Sequence, residues 1–341
     1  MKRIRVDFLV VGAGLAGSVT GFLLKEAGAD VLALELLDAK TKDKLCGGMM
    51  SPKVFEYFVQ VFGEGCKDIL HPMLVQTFCQ RYAGREIRSE ATICTLPRKR
   101  LDDYCLERYL QAGGRLKDRT TVREIDDSDG VAVCADLRTG ETFEIEFDRI
   151  IGADGAMSAV RRLLTGKNQQ VGITLEGVAP LLSRACIFEY LTGDLGYSWY
   201  IPRGEDAVVG AGCLDGNAAT CREHMEAFCR ELQIEATHPV RGAAVPAGND
   251  VLLEYGRRAF FAGDAAGLIS GDCGAGIGRA VESARLLAKS LLNGSSYIKS
   301  MESRTDSLAD LAATAKKTQF FLKFCIMRKG EPAKPLAFLQ Q

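Results

Sequence analysis

The chain has 341 residues, of which 47% are apolar and 26% are charged, and its formal net charge is −1. This composition is typical of a globular protein in water, and the near-zero charge gives no electrostatic reason to expect nucleic-acid binding. No apolar run reaches the roughly eighteen residues that a membrane-spanning helix needs, so we expect a cytoplasmic protein.

The chain begins with a strand, a glycine-rich turn and a helix. Met1–Arg5 leads directly into the apolar run Phe8–Val11, which argues against a signal peptide, and Leu15–Ala27 has helical spacing. In a Rossmann unit the glycines of such a turn permit the sharp bend, the approach of a pyrophosphate and close packing of helix on strand. The predicted cofactor contacts are Gly12, Gly14, Ala16 and Gly17.

A second apolar strand, Val31–Leu34, ends in Glu35. A carboxylate at this position can accept hydrogen bonds from both ribose hydroxyls and disfavours a 2′-phosphate. Together with the first turn it predicts a bound dinucleotide, either FAD or NAD.

The middle of the chain alternates between short strands and helices. Residues 74–96 contain two alternating runs around Tyr82–Arg85, which predict a hairpin, and Leu101–Ala112 has helical spacing. Further strands are predicted at Thr120–Ile125, Gly130–Leu137, Thr142–Phe147, Leu181–Tyr190, Tyr197–Pro202 and Ala207–Leu214, with a helix at Ala218–Leu232. This order indicates a cofactor domain that is interrupted by a sheet domain.

A second glycine-rich turn, Arg258–Gly267, lies towards the end of the chain. An apolar strand ends there on Gly263 and Asp264, and the cluster Gly271–Gly278 leads into the helical run Arg279–Leu292. An aspartate at the tip of a strand can hold a ribityl hydroxyl, which FAD has and NAD lacks. The alternative is an ordinary turn whose aspartate caps a helix.

A third segment, Phe147–Arg162, lies between the two turns and contains the pattern A-D-G-x-x-S-x-V-R. In this order the three segments resemble the FAD-dependent group that includes aromatic hydroxylases, halogenases and geranylgeranyl reductases. In that group the block closes the FAD site, and Asp154 and Gly155 match it.

Further blocks resemble geranylgeranyl reductases in particular. Leu45–Pro52 is similar to their C-G-G segment, and Gly196–Pro202 to their Y-x-W-x-F-P motif, with Ile201 in place of phenylalanine. Arg98 fits an R-x-x-L-D block whose arginine contacts the flavin side of FAD in these relatives. The resemblance covers about residues 4–295. The relatives usually continue well beyond the last FAD helix, and that additional segment helps to close their lipid pocket. The length and class of this chain's substrate are therefore left open.

The resemblance implies that the flavin is contacted by Cys46, Gly47, Gly48, Arg98, Gly274, Ala275, Gly276 and Ile277. Cys46 and Tyr197 are candidate proton sources. Cys46 is also a candidate dithiol partner of Cys273, against the alternative that both cysteines are small packed residues. Tyr197, Trp199 and Pro202 are expected on the substrate-facing wall, with core packing as the alternative. The candidate catalytic residues are therefore Cys46, Tyr197 and Trp199.

The implied fold class is α/β, with a Rossmann-type FAD-binding domain interleaved with an antiparallel-sheet substrate domain and a short helical C-terminal segment. The predicted boundaries are 1–73, 98–169 and 255–295 for the first domain, 74–97 and 170–254 for the second, and 296–341 for the segment. No metal site is expected, because the three histidines lack zinc-like spacing and the twelve cysteines form no C-x-x-C motif.

The resemblance implies an FAD-dependent oxidoreductase that reduces carbon–carbon double bonds of an isoprenoid or similar apolar substrate. A transient electron donor, NAD(P)H or a ferredoxin-like protein, is expected because no second Rossmann turn is present. The alternatives are a flavin-dependent monooxygenase or halogenase, although a halogenase should carry two tryptophans where this chain has Tyr197 and Trp199, and a flavin electron carrier or thiol redox sensor.

The basic, aromatic segment 316–334 is a candidate for peripheral contact with an anionic membrane. The alternative is a helix that packs on the body of the protein and turns a basic face to water.

Overall fold

A computed structural model of the chain describes residues 2–70, 73–192, 195–214, 217–247, 250–269, 274–303 and 311–333. The strands are β1 Lys2–Val11, β2 Val31–Leu34, β3 Met49–Met50, β4 Leu74–Tyr82, β5 Arg85–Thr95, β6 Arg115–Lys117, β7 Thr120–Asp126, β8 Val131–Asp136, β9 Thr142–Gly152, β10 Val171–Pro180, β11 Cys186–Tyr190, β12 Gly196–Arg203, β13 Asp206–Cys213, β14 Thr237–Pro246, β15 Glu254–Tyr255, β16 Ala259–Phe261 and β17 Glu331–Pro332. The helices are α1 Leu15–Glu26, α2 Pro52–Phe62, α3 Arg98–Gln111, α4 Ala159–Thr165, α5 Ala218–Leu232, α6 Ile277–Asn293, α7 Tyr297–Glu302 and α8 Leu311–Lys329.

The first sheet has the order β15-β16-β9-β1-β2-β6, and its strands are parallel from β16 to β6. All four residues of β2 are buried, as expected for a parallel strand that is covered on both faces. The strands end level with one another, because Val11 lies opposite Leu34 and Gly152, and Gly152 lies opposite Phe261. Ligands of open parallel sheets bind beyond this carboxyl edge, and the three predicted FAD segments follow it directly.

The second sheet has the order β14-β10-β13-β12-β11-β4-β5-β17. Its described strand pairs are antiparallel except for β11 with β4, which are parallel. One face packs on α5, where Tyr200 and Val209 join Met225 and Phe228 in a buried cluster. The other face, which carries Phe188, Tyr197 and Trp199, lies opposite the carboxyl edge of the first sheet.

The predicted fold class is confirmed, with local corrections. The helix predicted from Leu101 begins at Arg98, and the strand predicted over Leu181–Tyr190 begins only at Cys186. Strands β10 and β14 had no predicted counterpart. The domain boundaries remain a prediction. Among the described residues, no helix has both the length and the apolar character that crossing a membrane requires.

Candidate active site

The first glycine-rich turn packs too tightly for side chains at two of its positions and leaves space at a third. A Cβ at Gly12, whose φ is +99°, would overlap the Ala153 backbone, and a Cβ at Gly17 would overlap the carbonyl oxygen of Gly12. At Gly14, by contrast, an added Cβ would meet nothing within 4 Å. Since α1 begins at Leu15, its free N–H groups border this open space, which suits a bound pyrophosphate.

Glu35 at the end of β2 is buried beside the same turn. Its Oε2 accepts hydrogen bonds from the Ala13 N–H (3.0 Å) and from Lys42 Nζ (2.8 Å), and its Oε1 accepts one from the Leu37 N–H (3.1 Å). The predicted ribose-binding carboxylate is therefore fixed against the turn, and a lysine that the sequence analysis did not single out neutralises it.

The second turn lies against the first. A Cβ at Gly263 would lie 3.0 Å from Cβ of Ala16, and Asp264 accepts a hydrogen bond from Lys44 Nζ at 2.6 Å. Burial acts to raise the pKa of Asp264, but the charges of Lys44 and Arg98 hold that pKa below its usual range. The aspartate is thus ionised and able to accept hydroxyl hydrogen bonds.

Asp154 shapes the third segment through its own hydrogen bonds. It accepts from Ser158 Oγ (2.6 Å) and from the N–H groups of Ala159 (2.7 Å) and Val160 (3.2 Å), which caps α4. These three bonds fix the backbone around Gly155, and the predicted contact of Asp154 with the cofactor stays a prediction. Gln169 links this segment to the second turn, donating to the carbonyl oxygens of Ala156 and Asp264.

Arg98 is buried at the start of α3 and donates to Asp102 at 3.1 Å. Burial alone would lower the pKa of its guanidinium, but Asp102, Cys46 and Asp264 together raise it. These interactions place Arg98 between the C-G-G segment and the second turn, and its contact with the flavin side of FAD stays a prediction.

A cavity of about 440 Å³ lies between the second sheet and the predicted flavin segments. All three candidate catalytic residues, Cys46, Tyr197 and Trp199, line it. Its opposite walls also contain the glycine-rich positions that the resemblance assigns to the flavin, namely Gly47, Gly48, Gly274, Ala275, Gly276 and Ile277.

The sheet wall of this cavity is a continuous aromatic surface. Phe78 stacks on Phe188 with ring centroids 5.9 Å apart, Phe188 lies 5.7 Å from Tyr197, and Tyr197 lies 5.6 Å from Trp199. The prediction for Pro202 was wrong, because side chains alternate along β12 and Pro202 follows Ile201 onto the other face, away from the cavity lining.

Glycines on β13 make room for the Trp199 indole. A Cβ at Gly210 would lie 2.5 Å from Cζ2 of Trp199, so the ring lies across this strand. Its Nε1–H is buried and has no hydrogen-bond acceptor among the described residues. A buried donor without an acceptor is costly, so this N–H is a natural contact for a bound ligand.

The sheet wall and the flavin segments meet closely at two points. A Cβ at Gly47 would lie 2.6 Å from Cδ1 of Ile201, and a Cβ at Gly274 would lie 3.3 Å from the Tyr197 hydroxyl. A molecule in the cavity would therefore contact both walls at once. Cys273 lies outside the described residues, so its pairing with Cys46 stays a prediction.

Sequence reasoning missed the carboxyl group on the cavity wall, Glu176 of β10. Burial raises the pKa of its carboxyl to about 7, against the lowering effects of the Cys46 N–H, Arg203 and Arg241. The residue lies in a strand that the hydrophobic pattern did not predict, so no sequence signal marked it.

These features fit FAD better than a mononucleotide or NAD. Open space lies before α1, one carboxylate is near each predicted sugar or ribityl position, and an apolar cavity adjoins the far end of the site. The fold and site therefore define an FAD-dependent oxidoreductase.

Comparison with known proteins agrees with this class. The family model described as FAD binding domain matches residues 5–238, and the chain belongs to that family. It is 27% identical over 296 residues to the geranylgeranyl diphosphate reductase of Rhodobacter capsulatus, covering 80% of this chain and 72% of the relative.

Two solved structures show the shared fold. A geranylgeranyl bacteriochlorophyll reductase-like protein from Thermoplasma acidophilum superposes with a TM-score of 0.79 at 17% identity, covering 95% of this chain and 91% of that one. A myxobacterial chondrochloren halogenase superposes with a TM-score of 0.71 at 17% identity, covering 99% and 86%. At these identities the likeness concerns the fold alone.

Proposed function

We propose that the protein reduces carbon–carbon double bonds of an isoprenoid or similarly apolar substrate held in the cavity. The observation that carries this proposal is the cavity itself, whose aromatic wall faces the predicted flavin segments. The Rhodobacter capsulatus relative is named for reduction of a geranylgeranyl compound, which supports the same substrate class.

Bound and reduced FAD supplies a hydride for one carbon of the double bond. The chain's own residues have three tasks. Phe188, Tyr197 and Trp199 hold the hydrocarbon and exclude water, Arg98 and Asp264 fix the cofactor's flavin end, and an acidic group on the cavity wall supplies the proton. Since an isolated alkene accepts hydride poorly, exclusion of water and delivery of the proton have the largest influence on the rate.

The test is product analysis after the FAD of the loaded protein is reduced with one equivalent of dithionite in the absence of oxygen. Parallel samples then receive geranylgeranyl diphosphate with or without oxygen. We expect a product two mass units heavier per reduced bond, formed without oxygen. A product that requires oxygen would overturn the reductase proposal in favour of a monooxygenase or halogenase. Flavin that is reduced but never reoxidised by substrate would instead indicate an electron carrier or redox sensor.

The electron donor is proposed to bind transiently, as NAD(P)H or a small ferredoxin-like protein. The described glycine-rich turns all meet at one edge of the first sheet, where they are proposed to hold FAD. This leaves the donor to reach the flavin from outside that site.

We also propose that α8 rests on an anionic membrane surface. Its inner face contributes the buried Ile326, and Gln319 on that face lines the cavity. On its outer face Phe320 is 74% exposed and Phe321 65% exposed, with Phe324 also exposed. Exposed basic residues flank these rings, namely Lys317, Arg328 and Lys329. Apolar residues beside basic ones are the pattern that binds headgroups and acyl chains together, and this helix would bring a lipid to the cavity.

Co-sedimentation with vesicles tests this contact. We expect the protein to bind phosphatidylserine-containing vesicles more tightly than pure phosphatidylcholine vesicles, and the variant Phe320→Ser/Phe324→Ser to lose at least about 90% of that binding, since about 0.8 kcal/mol is lost per CH₂ no longer buried. The control variant Leu74→Ser/Val75→Ser removes an equally exposed apolar pair from β4 and should bind normally. Equal binding by all three proteins would contradict the proposal.

A further inference from the structure

We propose that Glu176 is the catalytic acid that protonates the substrate, an inference that rests on the proposed reductase function. It goes beyond the candidates Cys46 and Tyr197.

Glu176 belongs to a cross-strand row of residues on the cavity face. It lies opposite Gly210 of β13, which in turn lies opposite Trp199 of β12. Residues paired in this way point to the same face of a sheet. Because Gly210 has no side chain and the indole lies across that position, the Glu176 carboxyl and the Trp199 ring border the same part of the cavity.

The carboxyl also touches the opposite wall. Its Oε1 accepts the Cys46 N–H at 3.3 Å, which is its one hydrogen bond among the described residues. Glu176 thus lies where the substrate wall meets the C-G-G segment that is predicted to contact the flavin. A proton donor for hydride addition has to be within reach of the carbon next to the one that receives the hydride, and a carboxyl at this junction would meet that requirement for a substrate held in the cavity.

The surroundings keep a proton on Glu176 near neutrality. Burial raises the pKa of its carboxyl to about 7, and Asp43 acts in the same direction, while the Cys46 N–H, Arg203 and Arg241 act against it. Both arginines are already paired, Arg203 with Asp206 and Arg241 with Asp43, which limits how far they lower the pKa of Glu176. A donor whose pKa lies near the working pH is effective and easily reprotonated.

The reaction balances with this assignment. One carbon of the double bond receives a hydride, with its two electrons, from reduced FAD, and the other carbon forms a C–H bond with the proton of Glu176 as the O–H bond breaks. The products are a saturated carbon pair, oxidised FAD and the Glu176 carboxylate. Water reprotonates the carboxylate, and the electron donor reduces the flavin again.

Glu189 provides a matched control. Burial raises the pKa of its carboxyl to about 7 as well, with Glu231 and Glu86 raising it and Arg81 lowering it. It lies in β11 between Phe188 and Tyr190, which line the cavity, so it points to the other face. The two glutamates thus share protonation behaviour and differ in access to the cavity.

The experiment compares wild type, Glu176→Gln and Glu189→Gln after anaerobic reduction of bound FAD. Flavin reoxidation by geranylgeranyl diphosphate is followed in single turnovers between pH 5 and pH 9. A donor must be protonated, so the wild-type rate should fall as the pH rises through about 7. Glu176→Gln should be slower at pH 6 by about 100-fold and lose this dependence, since a positioned acid contributes about that factor. Glu189→Gln should retain the wild-type profile.

Two readouts separate a catalytic role from a structural one. Glutamine can still accept the Cys46 N–H, so a residue that only holds the loop would tolerate Glu176→Gln. A wild-type pH profile in that variant would therefore overturn the assignment of Glu176 as the acid and leave the proposed reductase function standing. Infrared titration should show carboxyl absorption that disappears near pH 7 in wild type; Glu176→Gln should lose one part of this absorption and Glu189→Gln the other, independent of turnover. If wild type itself fails to reoxidise with the substrate, the proposed function falls and this inference with it.

Discussion

Gly17→Ala should leave little folded protein, whereas Gly14→Ala should fold normally and bind FAD poorly. At Gly17 the new methyl group would overlap the carbonyl oxygen of Gly12, a backbone atom that can move only by shifting the turn. Overpacking of this kind costs about 3 kcal/mol or more where the backbone cannot yield. We expect a correspondingly lower melting temperature of the apoprotein and almost no yellow protein.

The two glycines separate folding from cofactor binding. The backbone at Gly14 (φ −81°, ψ −167°) is open to any residue, and a methyl group there meets no protein atom within 4 Å. Stability should therefore change by less than about 0.5 kcal/mol. If the pyrophosphate passes this point, the methyl group occupies its path, and the dissociation constant of FAD should rise at least about tenfold, or 1.4 kcal/mol.

Gly65→Ala is the matched control, since a Cβ there also meets nothing within 4 Å and the residue lies in a 3₁₀ turn away from the site. Fluorescence titration of the apoproteins with FAD, alongside thermal unfolding, measures both quantities. Wild-type FAD affinity in Gly14→Ala would show that the pyrophosphate takes another path.

The glycine-rich turns were predictable because their chemistry is local. A strand, a tight turn and a helix occupy consecutive residues, and the strand Val31–Leu34 and the helix Ala218–Leu232 have the predicted bounds. The hairpin predicted in residues 74–96 is likewise confirmed as β4 and β5, with its turn at Ala83 and Gly84. Each of these patterns can be recognised from its own residues, without the rest of the chain.

Strands β10 and β14 were missed because tertiary pairing, not local pattern, makes them strands. β10 contains Gly177 at a register shift between Glu176 and Val178, which is where a bulge accommodates glycine. β14 contains prolines and is paired only with β10 among the described strands, and an edge strand tolerates proline. Since Glu176 lies in one of these strands, the carboxyl that we propose as the proton donor was missed with it.

The error over Leu181–Tyr190 has a different cause. An apolar run predicted a strand from Leu181, but the backbone N–H groups of Leu182 and Ser183 donate to the Tyr200 hydroxyl instead of to a neighbouring strand. Lys42 and Lys44 were also missed, since a lysine in a polar loop looks solvated until the fold brings a buried carboxylate to it. Such contacts join residues that are far apart in the sequence.

Trp199→Phe should lower the substrate's kcat/KM about tenfold, and Trp199→Ala about 100-fold, without changing FAD content. The indole forms part of the aromatic wall, and its Nε1–H has no acceptor among the described residues. Phenylalanine keeps most of the ring and removes this donor, which is worth about 1–3 kcal/mol once a ligand accepts it. Alanine also removes the wall, and truncating a buried tryptophan in a binding site commonly costs 2 kcal/mol or more.

Trp199→Phe is the more informative test of substrate binding, because Trp199→Ala is also expected to destabilise the fold by about 3–5 kcal/mol. Tyr200→Phe is the control, being the next residue of the same strand on its opposite face. Loss of its hydroxyl removes the hydrogen bonds from Leu182 and Ser183, so it should lower stability by about 1–3 kcal/mol and leave kcat/KM unchanged.

Steady-state kinetics with geranylgeranyl diphosphate, combined with urea unfolding, separates these effects. If the aromatic wall is the substrate site, Trp199→Phe on the cavity face should alter kcat/KM. Tyr200→Phe on the other face should not, even though it lowers stability more. Equal kinetics for Trp199→Phe and Tyr200→Phe would mean that Trp199 is ordinary core packing and that the substrate binds elsewhere. A drop in bound FAD with Trp199→Phe would instead assign the indole to the cofactor.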